Sequence, residues 1–300
     1  MQQPLVVIVI LNTNRREDTL ECLGSLEQSS YPTQKIIVLD NASTDGSVEA
    51  IQAGFPHVEI LHLTRNAGYA GNNNVGISAA LEQGADWVLV LNEDTILNPD
   101  CITQMVAAGE SDQHIGIVGP LVYHHNEPNV IQSAGGALGT NWEAQHLGQN
   151  EDDIGQYTMP HAVKWVSGCA IMVRRSAIEQ HGMLDERFFY YWEEVEWCLR
   201  IGAAGWIIQH VPAARLWHKG VQRNYAPKPS VAYYNTRNRF LMLEKLQAPI
   251  RVRLGTWLQV LRTLASYSLR PKWRTMRAHR DAQWRGLVDF LCRRWGQAQL

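Results

Sequence analysis

Apolar and polar positions alternate in blocks along the first third of the chain. Val6–Leu11 is an unbroken apolar run, and Lys35–Asp40, Val58–Leu63 and Asp86–Leu91 repeat the pattern. Runs of this length without polar interruption predict parallel strands covered on both faces. Between them, Arg15–Gln28, Ser47–Ala53 and Gly71–Gln83 carry helical spacing. A strand–helix alternation predicts a parallel sheet with crossover helices. Ile115–Val173 is richer in Gly, and Gly135–Met159 reads as a loop. Further on, Trp165–Arg174 and Trp206–Val211 read as strands, and Trp192–Ala204 and Ser230–Leu246 as helices. The expected division is an α/β catalytic domain over 1–246 and a helical extension over 247–300.

Polar residues gather where the predicted strands end: Asn12-Thr13-Asn14, Asp40-Asn41, Arg65-Asn66 and Asn92-Glu93-Asp94. Ligands of open parallel sheets bind at those ends. No GxGxxG or Walker pattern is present, and Gly68 with Gly71-Asn72-Asn73-Asn74 forms neither, so a dinucleotide or ATP fold is disfavoured.

Asp94 closes a strand exit, and Asn98-Pro99 already supply a cap signal for the next helix, so the acidic pair Glu93-Asp94 is not needed for capping. A carboxylate there suits a Mg²⁺ or Mn²⁺ ion bridging to a diphosphate. Glu193, Glu194 and Glu196 open a predicted helix, where they complement its dipole. They also follow the aromatic run Phe188–Trp192, whose apolar surface raises carboxylate basicity, as a general base requires. His218 and Lys219, before a Gly, suit a metal and phosphate site, and Arg237 places a guanidinium within reach of a diphosphate.

The chain is 45% hydrophobic and 19% charged, enough for a full core. Its five cysteines are scattered without CxxC spacing, which points to a reducing cytoplasm. The net charge of −2 hides an asymmetry. From Ile250 onward ten Arg and one Lys stand against Asp281 and Asp289, a balance of +9; the remaining 16 basic and 27 acidic residues give the rest −11. The basic tail interleaves Arg with apolar residues at helical spacing, including Trp257, Leu258, Leu261 and Leu264, but no run approaches the roughly 20 apolar residues of a membrane span. It predicts amphipathic helices that lie peripherally on an anionic membrane surface, or else pack on the catalytic domain or a second subunit. A chain ending at Leu246 is expected to stay folded. The acidic body argues against nucleic acid.

Taken in order, the motifs resemble the family 2 glycosyltransferases of GT-A fold, in particular their rhamnosyltransferase-like branch. Asn12-Thr13-Asn14 matches the family's N-Y-N-like turn, Leu39–Ser47 its V-D-N-x-S-T-D-G-S, Asn66–Asn74 its N-x-G-[FY]-A-x-G-x-N, and Leu91–Thr95 its L-N-x-D-T, a variant DXD motif. Gly168–Arg175 resembles its G-x-x-x-x-x-R-R segment, Leu184–Glu196 its F-D-E-x-F-F-x-Y-x-E-D-x-D segment, and His218 and Arg237-Asn238 its late elements. The resemblance implies a GT-A fold with a Rossmann-like, mostly parallel sheet, a nucleotide-binding N-terminal half and an acceptor-binding C-terminal half. It implies an inverting transfer from a UDP- or dTDP-linked sugar, such as rhamnose, to a hydroxyl of a cell-surface glycan or glycolipid. Asp40 would hold the base, Asp94 and His218 the divalent metal, and the second member of the Glu-Asp pair the acceptor proton. Asn12, Asn14, Asn41, Arg65, Asn66, Asn72, Asn73, Asn92, Glu93, Lys219 and Arg237 complete the expected donor site. Glu193-Glu194 stands where the family has Glu-Asp, so the base is Glu193 or Glu194, with Glu194 favoured. A catalytically silent nucleotide-sugar-binding protein is the rival reading, and donor turnover with Mn²⁺ separates the two.

Overall fold

A computed structural model describes residues 3–220, 222–223 and 225–299. In chain order its elements are β1 (Val6–Asn12), α1 (Arg16–Glu27), β2 (Gln34–Asp40), α2 (Ser47–Gly54), β3 (Glu59–His62), α3 (Gly68–Glu82), β4 (Trp87–Asn92), β5 (Thr95–Leu97), α4 (Cys101–Glu110) and β6 (Ile115–His124). They continue with β7 (Glu127–Ser133), β8 (Gly136–Leu138), β9 (Ala144–His146), β10 (His161–Ala162), β11 (Ala170–Arg174), α5 (Arg175–His181), α6 (Glu193–Ala203), β12 (Ile207–His218), α7 (Pro229–Lys245), α8 (Ile250–Leu269) and α9 (Arg277–Leu291).

The main sheet runs β10-β12-β6-β11-β4-β1-β2-β3. β1 to β4 pair in parallel, as the apolar runs predict. The period of two explains why those runs are unbroken: Val6, Ile8 and Ile10 enter the core under α1, α2 and α4, while Val7 and Val9 enter the core under α3, α5 and α6. β11 inserts antiparallel between β4 and β6.

Several expectations need correction. Trp165–Val166 are buried against the sheet, but the strand begins only at Ala170. β12 runs twelve residues to His218 rather than stopping at Val211, crossing an irregularity between Val211 and Arg215. The Gly135–Met159 stretch is no plain loop; it contains the β8–β9 hairpin, whose Ala137 carbonyl accepts from the Trp165 indole. The cap of α4 is Asp100; Asn98 instead makes an Asx turn, its Oδ1 accepting from Asp100 N.

The basic tail forms α8 and α9, which pack back on α7. Phe240 of α7 shares a core with Leu264, Leu287 and Phe290, stacking on Phe290. A chain ending at Leu246 would uncover this aromatic surface, so the structure argues against its staying folded. The outward face of α8 keeps Leu254, Leu258 and Leu261 exposed beside Arg251, Arg253 and Arg262. Among the described residues no helix is long and apolar enough to cross a membrane.

Candidate active site

A cleft of about 530 Å³ opens at the C-terminal ends of β1, β2 and β4. The turn after β4 is shaped by β5, which folds back antiparallel on the end of β12 and pairs Thr95 with His218. A bond from Lys219 N to the Asp94 carbonyl completes the junction. Two residues 124 positions apart in number, Asp94 and His218, thereby meet with Oδ1 and Nε2 3.1 Å apart.

His218 Nδ1 lies 2.8 Å from Gln132 Oε1, which can only accept, so the ring proton is on Nδ1 and Nε2 presents a lone pair. Asp94 Oδ1 is buried and receives no hydrogen bond. In that tautomer two electron-rich atoms face one another, with the Asn92 amide nitrogen 3.4 Å from Nε2, and an imidazolium or a cation would ease the contact. The space beside them exists because residue 220 is Gly: a Cβ there would lie 2.7 Å from Asp94 Oδ2 and 2.9 Å from His218 Nε2. An oxygen donor, a nitrogen donor and an open cradle fit a divalent metal. Among the described residues no group of three or more His, Cys, Asp or Glu side chains is placed to hold one. Burial opposes the Asp94 charge, but His218, when its Nε2 carries a proton, and Arg15 outweigh it and hold the carboxyl below its ordinary range. Glu93, also on the cleft wall, is pushed up to about 7 by burial and then by the Asp94 charge.

In the same cleft α6 presents Glu193 and Glu194. Glu193 is 4% exposed, and neither Oε2 atom has a partner. Burial raises both carboxyls, and the charge of Glu194 raises Glu193 further. The helix is delivered by a strained loop: Phe189, Tyr191 and Trp192 all have positive φ, at 63°, 68° and 76°. Gly68, itself at φ +75°, lets that loop approach, since a Cβ would lie 2.3 Å from the Phe189 carbonyl.

Arg237, expected on the diphosphate, lies elsewhere and is fully buried. Nη2 donates to the carbonyls of Phe188 (2.8 Å) and Arg187 (3.2 Å), and Nη1 to Gly296 O (2.7 Å). Its neighbour Asn238 donates through Nδ2 to the carbonyls of Phe188, Tyr190 and Tyr191 at 2.8–2.9 Å. Buried carbonyls need donors, so this pair holds the strained loop rather than a ligand. Asn238→Ala is expected to lower stability by about 2–3 kcal/mol, since buried acceptors lose their donors. A denaturant titration reads the loss.

Of the other expected donor-site residues, Asn41, Asn66, Asn72, Asn92 and Glu93 line the cleft. Asn72 Oδ1 accepts from Ala67 N and its Nδ2 donates to Asn66 Oδ1, which fixes the entry to α3. Asn12 is wholly internal: it donates to Ser43 and Ser47 and accepts from Thr19, bracing the β1 and β2 exits together. Asn14 plays the same part through Thr44 N. Asp40 sits behind the wall, bonded to Ser43 N and 3.4 Å from His62 Nδ1. Asn73 is buried and donates to the Tyr69 carbonyl, while Arg65 is exposed away from the cleft. Lys219, expected on a phosphate, instead pairs with Asp18 (3.0 Å) and Glu21 (2.6 Å) of α1 and is off the wall.

The cleft also takes residues that sequence reasoning missed. Arg15 is a cation on the wall, and its position directly after Asn14 was the available signal. Tyr69 donates to the Gly168 carbonyl at 2.6 Å. His146, donating to or accepting from Ser133 Oγ at 2.8 Å, is lowered to about 4 by burial and by His218. Gln132 comes from β7, and nothing near His218 in the chain points to it.

The family model for glycosyl transferase family 2 matches residues 6–182. The chain belongs to this family. It is similar to the N-acetylglucosaminyl-diphospho-decaprenol L-rhamnosyltransferase of Mycobacterium tuberculosis, with 30% identity over 223 residues, 65% of this chain and 70% of that one. It is also similar to the dTDP-rhamnosyl transferase RfbF of Shigella flexneri, at 25% identity over 75% and 74% of the two chains. In fold, this glycosyltransferase superposes on the mannosyltransferase PcManGT of Pyrobaculum calidifontis, solved with GDP-Man and Mn²⁺, with a TM-score of 0.61 and 16% identity over 97% of this chain and 88% of that one. TarS 1-349 of S. aureus with UDP-GlcNAc also gives a TM-score of 0.61, at 15% identity over 96% and 80%. The α/β fold with a mostly parallel sheet is thus that of the GT-A glycosyltransferases, extended by C-terminal helices.

Proposed function

We propose that this family 2 enzyme transfers a sugar, with inversion, from a UDP- or dTDP-linked donor to a hydroxyl of a glycan or glycolipid of the cell envelope. The observation that carries the reading is one cleft lined both by Asp94 and His218 and by Glu194, whose Oε2 has no partner. Asp94 and His218 would hold a Mg²⁺ or Mn²⁺ ion, whose chemistry is to offset the charge of the departing diphosphate. Arg15 adds a cation to the same side. Asn41, Asn66 and Asn72 offer amides to the nucleotide sugar, with Asp40 behind them as a second-line contact to its base. Glu194 takes the acceptor proton, and an inverting displacement needs no covalent partner on the enzyme. The rhamnosyl relatives make a dTDP-linked deoxysugar the first donor to test. Nucleotide release across a panel of UDP- and dTDP-sugars, with and without Mn²⁺, tests this reading. No release on any donor, in the presence of nucleotide binding, would leave a binding protein instead.

The exposed Leu and Arg face of α8 supports a cytoplasmic enzyme lying on an anionic inner membrane surface. Each cation there contributes about 1 kcal/mol. The protein is expected to co-sediment with phosphatidylglycerol-containing vesicles and not with phosphatidylcholine alone, and to be released above roughly 0.5 M salt. Leu258→Asp combined with Arg262→Glu should abolish sedimentation without unfolding, because both side chains point outward. Persisting sedimentation of that variant would refute the membrane reading.

A further inference from the structure

A second cavity of about 400 Å³ adjoins the cleft and shares Glu194, Tyr191 and His146 with it. Its far wall comes from α7, α8 and α9, beyond the segment that matches the family model. Four of its residues carry a buried polar atom without a partner: Glu194 Oε2, Arg239 Nε, Thr256 Oγ1 and Gln283 Oε1.

Thr256 is the most telling. A helical threonine ordinarily gives its hydroxyl to the carbonyl four residues back. Thr236 does so to Ala232 O at 2.8 Å, and Thr263 to Gln259 O at 3.0 Å. Thr256 is fully buried and makes no such bond. Unpartnered buried polar atoms are costly, and all four belong to residues that line this one cavity, a grouping that points to a ligand.

The chemistry of that ligand follows from the set. Glu194 and Gln283 offer acceptors, Arg239 a donor, and Thr256 either, which is the mixed pattern that hydroxyl groups satisfy. The Arg239 charge is already met by Glu143 at 3.2 Å, and its Nη atoms by Asn141 O and Gln259 Oε1. With no free cation among the described residues that line it, and with Glu194 on the wall, the cavity disfavours an anion. Trp165, Trp192 and Phe240 supply apolar faces of the kind that sugar rings stack on. The volume lies in the range of small-ligand sites.

We propose that this cavity is the acceptor subsite, that it takes a neutral sugar unit, and that Thr256, Gln283 and Arg239 select it. The inference rests on Glu194 acting at the junction of the two cavities. It gives the C-terminal helices a part in specificity besides any contact with a membrane.

The test uses the full chain, the donor found by nucleotide release, and octyl glycosides of glucose, galactose, mannose, rhamnose and N-acetylglucosamine as acceptors. With the glycoside that most accelerates wild-type release, Thr256→Val and Gln283→Leu should each raise the acceptor KM about tenfold, the cost of one unpaired hydroxyl. The donor KM should stay unchanged, and Thr256→Ser should restore the acceptor KM. An unchanged acceptor KM in both variants overturns the inference, as does a donor KM that rises in parallel. Donor hydrolysis that no glycoside accelerates counts against a neutral sugar. Absence of any donor turnover in the wild type is a different failure, that of the cleft reading itself.

Discussion

Asp94→Ala is expected to lower the transfer rate about a thousandfold or more, because removing a metal ligand costs several kcal/mol of transition-state stabilisation. The fold should persist. Asp94 lies in the turn between β4 and β5, its backbone carbonyl still accepts from Lys219 N, and His218 keeps its bond to Gln132. Two readouts separate metal loss from damage to the nucleotide site. Thermal stabilisation of the wild type by UDP or dTDP should increase when Mn²⁺ is added, by mass action on the folded state, and that increment should vanish in the variant. Chelation with EDTA should silence the wild type and leave the variant where it was. Near-normal transfer by Asp94→Ala, or full wild-type activity in excess EDTA, refutes the assignment.

The parts of this site that were legible in sequence are those built from strand ends. β1, β2 and β4 are buried on both faces, so they read as apolar runs with sharp polar ends, and Asn41, Asn92 and Asp94 fall where those runs stop. Side chains that reach the site through tertiary turns were not legible. Gln132 meets His218 only because β7 pairs with β6 beside β12. Arg237 misled for a related reason: an Arg beside an Asn on a helix reads as a solvated or phosphate-binding face, but α7 is enclosed by α9 and by the aromatic loop, and its polar groups turn to buried carbonyls. Lys219 follows the same logic, since Asp18 and Glu21 lie on a helix about 200 residues away in the chain. The second cavity was out of reach altogether, because its wall comes from four helices and its signal is the absence of hydrogen bonds.

Glu194→Gln is expected to keep donor binding and to lower kcat on the order of a hundredfold or more, the usual scale of general-base loss. Glu193→Gln should cost far less. The two positions differ in setting: Glu193 is the more deeply buried, and that burial, followed by the Glu194 charge, pushes its pKa well above the ordinary range, whereas Glu194 reaches both cavities. Of the two, Glu193 is thus the one that holds a proton more firmly, and Glu194 is the better placed to lose its proton and act as the base. Glutamine imitates a protonated Glu193, so that substitution preserves the working state of the pair. The wild-type pH profile should rise with pH, along a limb above the normal carboxylate range, as Glu194 loses its proton. Stability should move in the opposite sense. A carboxyl with a raised folded-state pKa leaves the protein most stable below the unfolded value of about 4.3, and the advantage is lost as pH rises through the folded value. Glu194→Gln removes one buried ionisation, so its denaturation midpoint should exceed that of the wild type at pH 8 and match it at pH 4. If Glu193→Gln suffers the larger fall in kcat, the base is Glu193; if neither variant slows transfer, neither glutamate accepts the proton.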